Sequence, residues 1–128
     1  DFEISADWSE HAAYLQAQYI DQAFYPDGFC VELTTAYSAS VSGSMQQMAY
    51  ALREQPAIDA RRDTLAAMVT SLVALGDPTG RLPSFGDLYA GECASYVSAP
   101  LATWLGLPSR SIRSISGCAQ ASALSRAM

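Results

Sequence analysis

The chain has 128 residues, half of them hydrophobic, with a formal net charge of −6, one histidine and three cysteines. That length suits one domain with a modest core, and the alanine-rich apolar share favours packed helices over a sheet. The acidic balance, without a basic run, argues against nucleic acid or an anionic membrane surface as partner. No apolar run is long enough to span a bilayer.

His11 alone cannot build a two-histidine metal site, and the wide spacing of Cys30, Cys93 and Cys118 matches no zinc pattern. The cysteines read as small buried apolar residues. No metal or other cofactor is therefore expected. Asp1-Phe2-Glu3 lacks the basic start and apolar stretch of a signal peptide. Both ends read as cuts in a longer protein, because the last residues, Ala123–Met128, still look helical.

In chain order, the spacing predicts a first helix over 7–24, with Ser5 or Asp7 as cap. Trp8, Ala12, Leu15 and Tyr19 fall at i, i+4, i+7 and i+11 and form its expected apolar face, with His11 beside it. Pro26-Asp27-Gly28 then makes a turn: Pro presets φ, Asp bonds the backbone ahead, and Gly accepts a positive φ. The stretch 29–34 alternates and is β-branched, so it reads as extended or as a very short strand. It carries a lone acid, Glu32, and ends in hydroxyls around Tyr37.

A second helix is expected over 39–55, with Val41, Met45, Met48 and Leu52 as its apolar stripe and Pro56 as its end. A third is expected over 58–75, with Ile58, Leu65, Met68, Val69, Leu72 and Val73 on one side. The charges Asp59, Arg61, Arg62 and Asp63 read as a solvated face with local pairs. Gly76–Gly80 breaks the pattern and leads into a second irregular loop, Arg81–Asp87. A fourth helix is expected over 87–99, capped by Asp87, where a carboxylate meets free N–H groups and the dipole. Pro100 and Gly106-Leu107-Pro108 bound a short segment holding Trp104, and a weaker helix is expected from Ser109.

The expected fold is therefore all-α. Two segments share one layout, a helix, then Pro/Asp/Gly punctuation, then a loop with an aromatic and an acid. Antiparallel helical hairpins whose loops gather on one side are the layout of α/α solenoids and toroids. The candidate functional groups are Glu32 and Tyr37 in the first loop and Arg81 and Asp87 in the second. A carboxylate pair, Glu32 and Asp87, would suit a glycosidase with one acid and one base. A tyrosine beside the carbon acid of a uronate would suit a lyase, because a phenol can give or take a proton. The plain alternative is that Glu32 caps a backbone turn and Tyr37 packs its ring.

Gln22, then Asp27-Gly28-Phe29, Glu32-Leu33-Thr34 and Tyr37 resemble the DGF–E–(S/T)–Y segment of the heparinase II/III-like polysaccharide lyases, a group that includes the oligoalginate lyases. Pro78–Asp87 resembles the PdG–lP–fGD segment found downstream in that family, and the likeness spans about residues 8–90. The resemblance implies an incomplete (α/α) toroid, of which residues 1–128 would be a single helical fragment. The family's C-terminal β domain would lie outside the chain. It also implies β-elimination on uronate-containing acidic polysaccharide, in the periplasm or outside the cell. Tyr37 falls on the family's catalytic acid, in some accounts also its base. Glu32, Arg81 and Asp87 match motif positions, with substrate contact or support as their implied role. Ser38 stands where many members have His. The family's Asn-His pair and its further catalytic His would lie outside these residues, so the chain alone is expected to be inactive. The alternative function is a helical domain that binds glycan or packs on partners without chemistry.

Overall fold

A computed structural model describes residues 6–77, 81–86 and 98–108. These form α1 (Ala6–Ala23), α2 (Thr35–Ala51), α3 (Pro56–Asp59), α4 (Arg62–Leu75) and α5 (Ala99–Trp104), with no strand among the described residues. The all-α class is therefore as expected. Ser5, Pro78–Gly80, most of the expected helix 87–99 with its cap Asp87, Cys93, Cys118 and the segment from Ser109 lie outside the described residues.

The first helix matches its expected span, but its buried face does not. Ala13, Gln16, Ala17, Ile20 and Ala23 are buried, whereas Leu15 and Tyr19 are about half exposed and Trp8 is 72% exposed. The two sets are roughly a quarter-turn apart on a helical wheel. Small residues let α1 approach α2 and α3 closely, so helix proximity, and not side-chain size, selects the inner face.

The 25–34 connection folds into tight turns and not into a strand. Phe24 and Cys30 pair in an isolated antiparallel bridge, and the Val31 N–H reaches Ala23 O at 2.9 Å. Gly28 carries the positive φ of 84° that the turn demands. A Cβ there would overlap the backbone of Ala67 and Met68, so this turn lies directly on α4. Ser71 Oγ also donates to the Asp27 carbonyl, holding the same two parts together.

Helix α2 starts earlier than expected and ends earlier too. Thr34 is extended (φ −107°, ψ 143°), and its Oγ1 accepts from the Tyr37 N–H at 3.2 Å, an N-cap. Tyr37 consequently belongs to the first turn of a helix and not to a loop. Its inner face is polar: Thr35, Ser38, Ser42 and Gln46 are buried, with Gly43 and Ala49. The expected stripe is displaced, with Met48 exposed and Val41, Met45 and Leu52 only flanking the core.

The expected helix 58–75 is divided. Pro56 opens α3 at N1 and does not simply close the helix before it. The chain breaks at Arg61 (φ −112°, ψ 12°) before α4 begins. Arg61 is also the correction to the solvated-face reading. Its Nε donates to Ala17 O at 3.1 Å and to Asp21 Oδ1 at 2.9 Å. Its Nη2 meets Asp21 Oδ2 at 2.5 Å, and its Nη1 donates to Ala57 O at 2.7 Å. The guanidinium thus ties α1 to α3 through a bidentate pair and two backbone carbonyls. The hydrogen bond to Asp21 raises the Arg61 pKa, against the opposing pull of burial, and the Asp21 charge adds to the rise.

Ile20, Ile58, Leu65, Met68 and Leu101 are fully buried at the centre. Helix α2 packs on α1, α4 and α5, and α1 on α3. Helix α5 is capped by Ser98, whose Oγ accepts from the Leu101 N–H at 3.4 Å, and its Trp104 ring meets Tyr50 edge-on at 6.1 Å.

Two measurements test these contacts. Gly28→Ala combines a strained φ with overlap of the α4 backbone, so it should destabilise by at least about 2 kcal/mol; an unchanged thermal midpoint would disprove the close approach. Ser42 Oγ is buried without a hydrogen-bond partner. Ser42→Ala removes that hydroxyl and should be neutral or stabilising by up to about 1 kcal/mol in a denaturant titration. A loss of more than about 1 kcal/mol would mean the hydroxyl is bonded in solution.

Candidate functional site

The first loop reaches α2 through a run of short-range bonds. Asp27 Oδ1 accepts from the Phe29 N–H at 3.0 Å, an Asx turn, and the Gly28 N–H reaches Tyr25 O at 2.8 Å. The Leu33 N–H closes a further turn on Cys30 O at 2.9 Å. Leu33 then takes a φ of 53°, a left-handed conformation that a branched apolar residue rarely adopts. Glu32, in this turn, is exposed.

The second loop is tied at both ends. Arg81 and Asp77 bond reciprocally: the Arg81 N–H meets Asp77 Oδ1 at 3.0 Å, and the Asp77 N–H meets Arg81 O at 2.9 Å. Leu82 is buried and anchors the segment. Gly86, with a φ of 70°, rests against Thr34, where a Cβ would come within 2.8 Å of the Thr34 methyl.

The two loops meet at Thr35. Its Oγ1 donates to Pro83 O at 2.8 Å and accepts from the Phe85 N–H at 3.4 Å. Its own N–H reaches Phe85 O at 3.4 Å. One fully buried threonine therefore clasps the 81–86 segment to the N-terminus of α2. Residues two apart on a helix point roughly 200° from each other. With Thr35 turned inward, Tyr37 is turned outward and is 47% exposed.

Glu32, Tyr37 and Arg81 are thereby brought to one end of the helices. All three are exposed, and no hydrogen bond or ion pair joins their side chains. Asp87, the other half of the expected carboxylate pair with Glu32, lies outside the described residues. The residue after Tyr37, Ser38, is fully buried. A solvent-facing histidine at that position would need a different helix orientation. Sequence reasoning missed Thr35 and Phe85. The signal for the first was present as a Thr34-x-x-Tyr37 cap, which makes the next residue the first of the helix.

Elsewhere, Asp7, Glu10, His11 and Tyr14 line a shallow groove on α1. Among the described residues no group of three or more His, Cys, Asp or Glu side chains is placed to hold a metal ion. None of the described helices is long and apolar enough to cross a membrane. No protein-family model, no curated protein and no solved structure matches the chain.

The clasp has a direct test. Thr35→Val keeps the shape but removes the hydroxyl that serves Pro83 and Phe85. It should cost about 0.5–1.5 kcal/mol, the net worth of a hydrogen bond whose partners are only partly buried, and should speed amide hydrogen exchange in residues 82–86. Thr35→Ser should restore both. Exchange in that segment unaffected by Thr35→Val would show that the loop is held by other contacts.

Proposed function

We propose that the chain is a helical segment, part of an incomplete (α/α) toroid, of a polysaccharide lyase that cleaves uronate-containing acidic polysaccharide by β-elimination. The observation that carries this reading is the Thr35 clasp. The two segments that resemble the lyase motifs lie far apart in sequence, yet Thr35 joins them and sets Glu32, Tyr37 and Arg81 around a single end of the helices. A periplasmic or extracellular location belongs to the same reading, since polymeric acidic glycans are met there.

The chemistry requires a base to take the proton on the carbon next to the sugar carboxylate. The released electron pair forms the ring double bond while the neighbouring C–O glycosidic bond breaks. The leaving oxygen must then receive a proton. Tyr37 is suited to give it: a phenol, held outward on the first turn of a capped helix, within reach of an extended polymer. Arg81 supplies an exposed cation at the same end, able to meet a carboxylate on the glycan. Glu32 can accept hydrogen bonds from sugar hydroxyls. The base and the groups that neutralise the reacting carboxylate would come from outside these residues.

One observation favours a second reading, a glycan-binding helical domain without chemistry. Glu32, Tyr37 and Arg81 are exposed and unlinked, and buried Ser38 occupies the position that is His in many of the lyases.

Tyr37→Phe separates the two. It keeps the ring and removes the proton. In a protein that supplies the remaining groups, turnover should fall about 10²–10⁴-fold, with substrate affinity little changed. The assay is the rise in ultraviolet absorbance of the unsaturated uronate product. Near-normal turnover would overturn the catalytic role of Tyr37 and leave the binding domain as the better account.

A further inference from the structure

The clasp at Thr35 has a second consequence, in Phe85. The Phe85 backbone is held on both sides, its N–H by Thr35 Oγ1 and its carbonyl by the Thr35 N–H. Before it, Pro83 O is bonded to the same hydroxyl; after it, Gly86 sits against Thr34. A segment so tied has little freedom, and buried Leu82 shows that it can reach the core. The phenyl ring nevertheless stands 56% exposed. A single exposed apolar residue needs no explanation, but this one has company. Tyr25, Val31, Leu33 and Tyr37 are also exposed large apolar residues, and all four belong to the loop and helix start to which Phe85 is clasped. Leu33 is moreover held out by a backbone in the left-handed region. Neither the Phe85 ring nor the Tyr37 ring stacks on another aromatic ring among the described residues, and each ring is about half exposed.

We infer that Phe85 is a substrate-binding residue, a stacking platform for a pyranose ring of an acidic oligosaccharide running past Tyr37. This deepens the lyase reading and rests on it for the acidic nature of the ligand. The chemistry comes from the residues present. The apolar face of a sugar ring carries polarised C–H bonds, which are drawn to the negative face of an aromatic ring. A rigid aromatic on a fixed backbone makes that contact at small entropic cost. Arg81, exposed in the same tied segment, provides the charge-assisted partner for a uronate carboxylate. Apolar faces and one cation at one end suit a ligand that alternates C–H faces with carboxylates. Phe85 has no proton to give, so it acts in affinity and register and not in the bond-breaking step.

The test titrates the chain with a polymannuronate tetrasaccharide and, separately, with neutral cellotetraose, following amide shifts by NMR. Variants are Phe85→Ala, Phe85→Leu and Phe85→Trp, with Tyr37→Phe for comparison. The ring is exposed, so the fold should survive each change, and far-ultraviolet circular dichroism checks this. Phe85→Ala and Phe85→Leu should each weaken uronate binding about three- to tenfold, the scale of one aromatic contact. Phe85→Trp should retain the affinity, and Tyr37→Phe should leave it nearly unchanged. Leu binding as well as Phe would overturn the stacking role, because leucine keeps the apolar bulk without the ring. Equal binding by Phe85→Ala would overturn the inference and leave the lyase reading untouched. If only the neutral sugar binds, with the same dependence on Phe85, the platform stands and the acidic-substrate reading fails. If neither sugar binds, the inference is overturned, and the lyase reading is then decided by the turnover of Tyr37→Phe.

Discussion

The side chain of Thr35 is the constraint on which the arrangement of this chain depends. A hydroxyl can donate once and accept twice, and here it does both across two segments, donating to Pro83 O and accepting from the Phe85 N–H. Its methyl and backbone are fully buried at the start of α2. Thr34, one residue earlier, uses its own hydroxyl to cap the helix. The two adjacent threonines therefore divide the work, one ending the loop and starting the helix, the other fastening a distant segment to that start. Because the cap fixes where the helix begins, it also fixes the rotation of every residue after it. Thr35 and Ser38 face inward, and Tyr37 faces out.

Much of the element order was legible in the sequence, because it is written in local chemistry. Pro26-Asp27-Gly28 makes the turn its residues announce, with the Asx bond from Asp27 and a positive φ at Gly28. The apolar spacing from Ile58 to Leu72 identified the residues that are buried on α3 and α4. What was not legible depends on neighbours. Trp8, Leu15 and Tyr19 form the stronger apolar pattern on α1, but alanines face its partners, because helices that approach closely have room only for small side chains. Thr34 and Thr35 looked like the end of a β-branched run, and only the cap bond reveals them as a helix start. The break at Arg61 is invisible in a period of 3.6, since it comes from a guanidinium drawn to Asp21 and Ala17 on another helix. At the candidate site, Glu32, Tyr37 and Arg81 were identifiable as residue types in conspicuous loops. Their gathering at one end required the Thr35 contacts, which span about fifty residues and carry no local signature.

The polar inner face of α2 gives the scaffold a particular balance. Gln16 on α1 donates to Met45 O at 2.7 Å, a cross-helix bond that fixes the register of the two helices. Its Oε1, with Ser38 Oγ and Ser42 Oγ, has no protein partner. Such groups cost free energy when buried dry, so this seam is held by fewer favourable terms than an aliphatic one would be. The compensating contacts are the Arg61–Asp21 pair and the buried aliphatic cluster of Ile58, Leu65, Met68 and Leu101. Small polar residues in the middle also let the helix backbones come close, which alanine and serine permit and leucine does not.

That balance bears on what the exposed end can do. Exposed residues gain little from burial, so their positions must be fixed from below. Here the fixing is done by backbone bonds. Gly28 lies on α4, Val31 bonds back to Ala23, and Phe85 is held through both its N–H and its carbonyl. Side chains above this layer, including Glu32, Tyr37, Arg81 and Phe85, are exposed, and no hydrogen bond or ion pair joins them to one another. The backbone entropy of these residues is already lost on folding, so only their side chains retain freedom. The positive φ at Leu33 fits the same division, since a strained residue persists only where its surroundings over-determine it. The surroundings in this case are the Cys30 turn on one side and the Thr34 cap on the other, both of which would have to yield before Leu33 could relax.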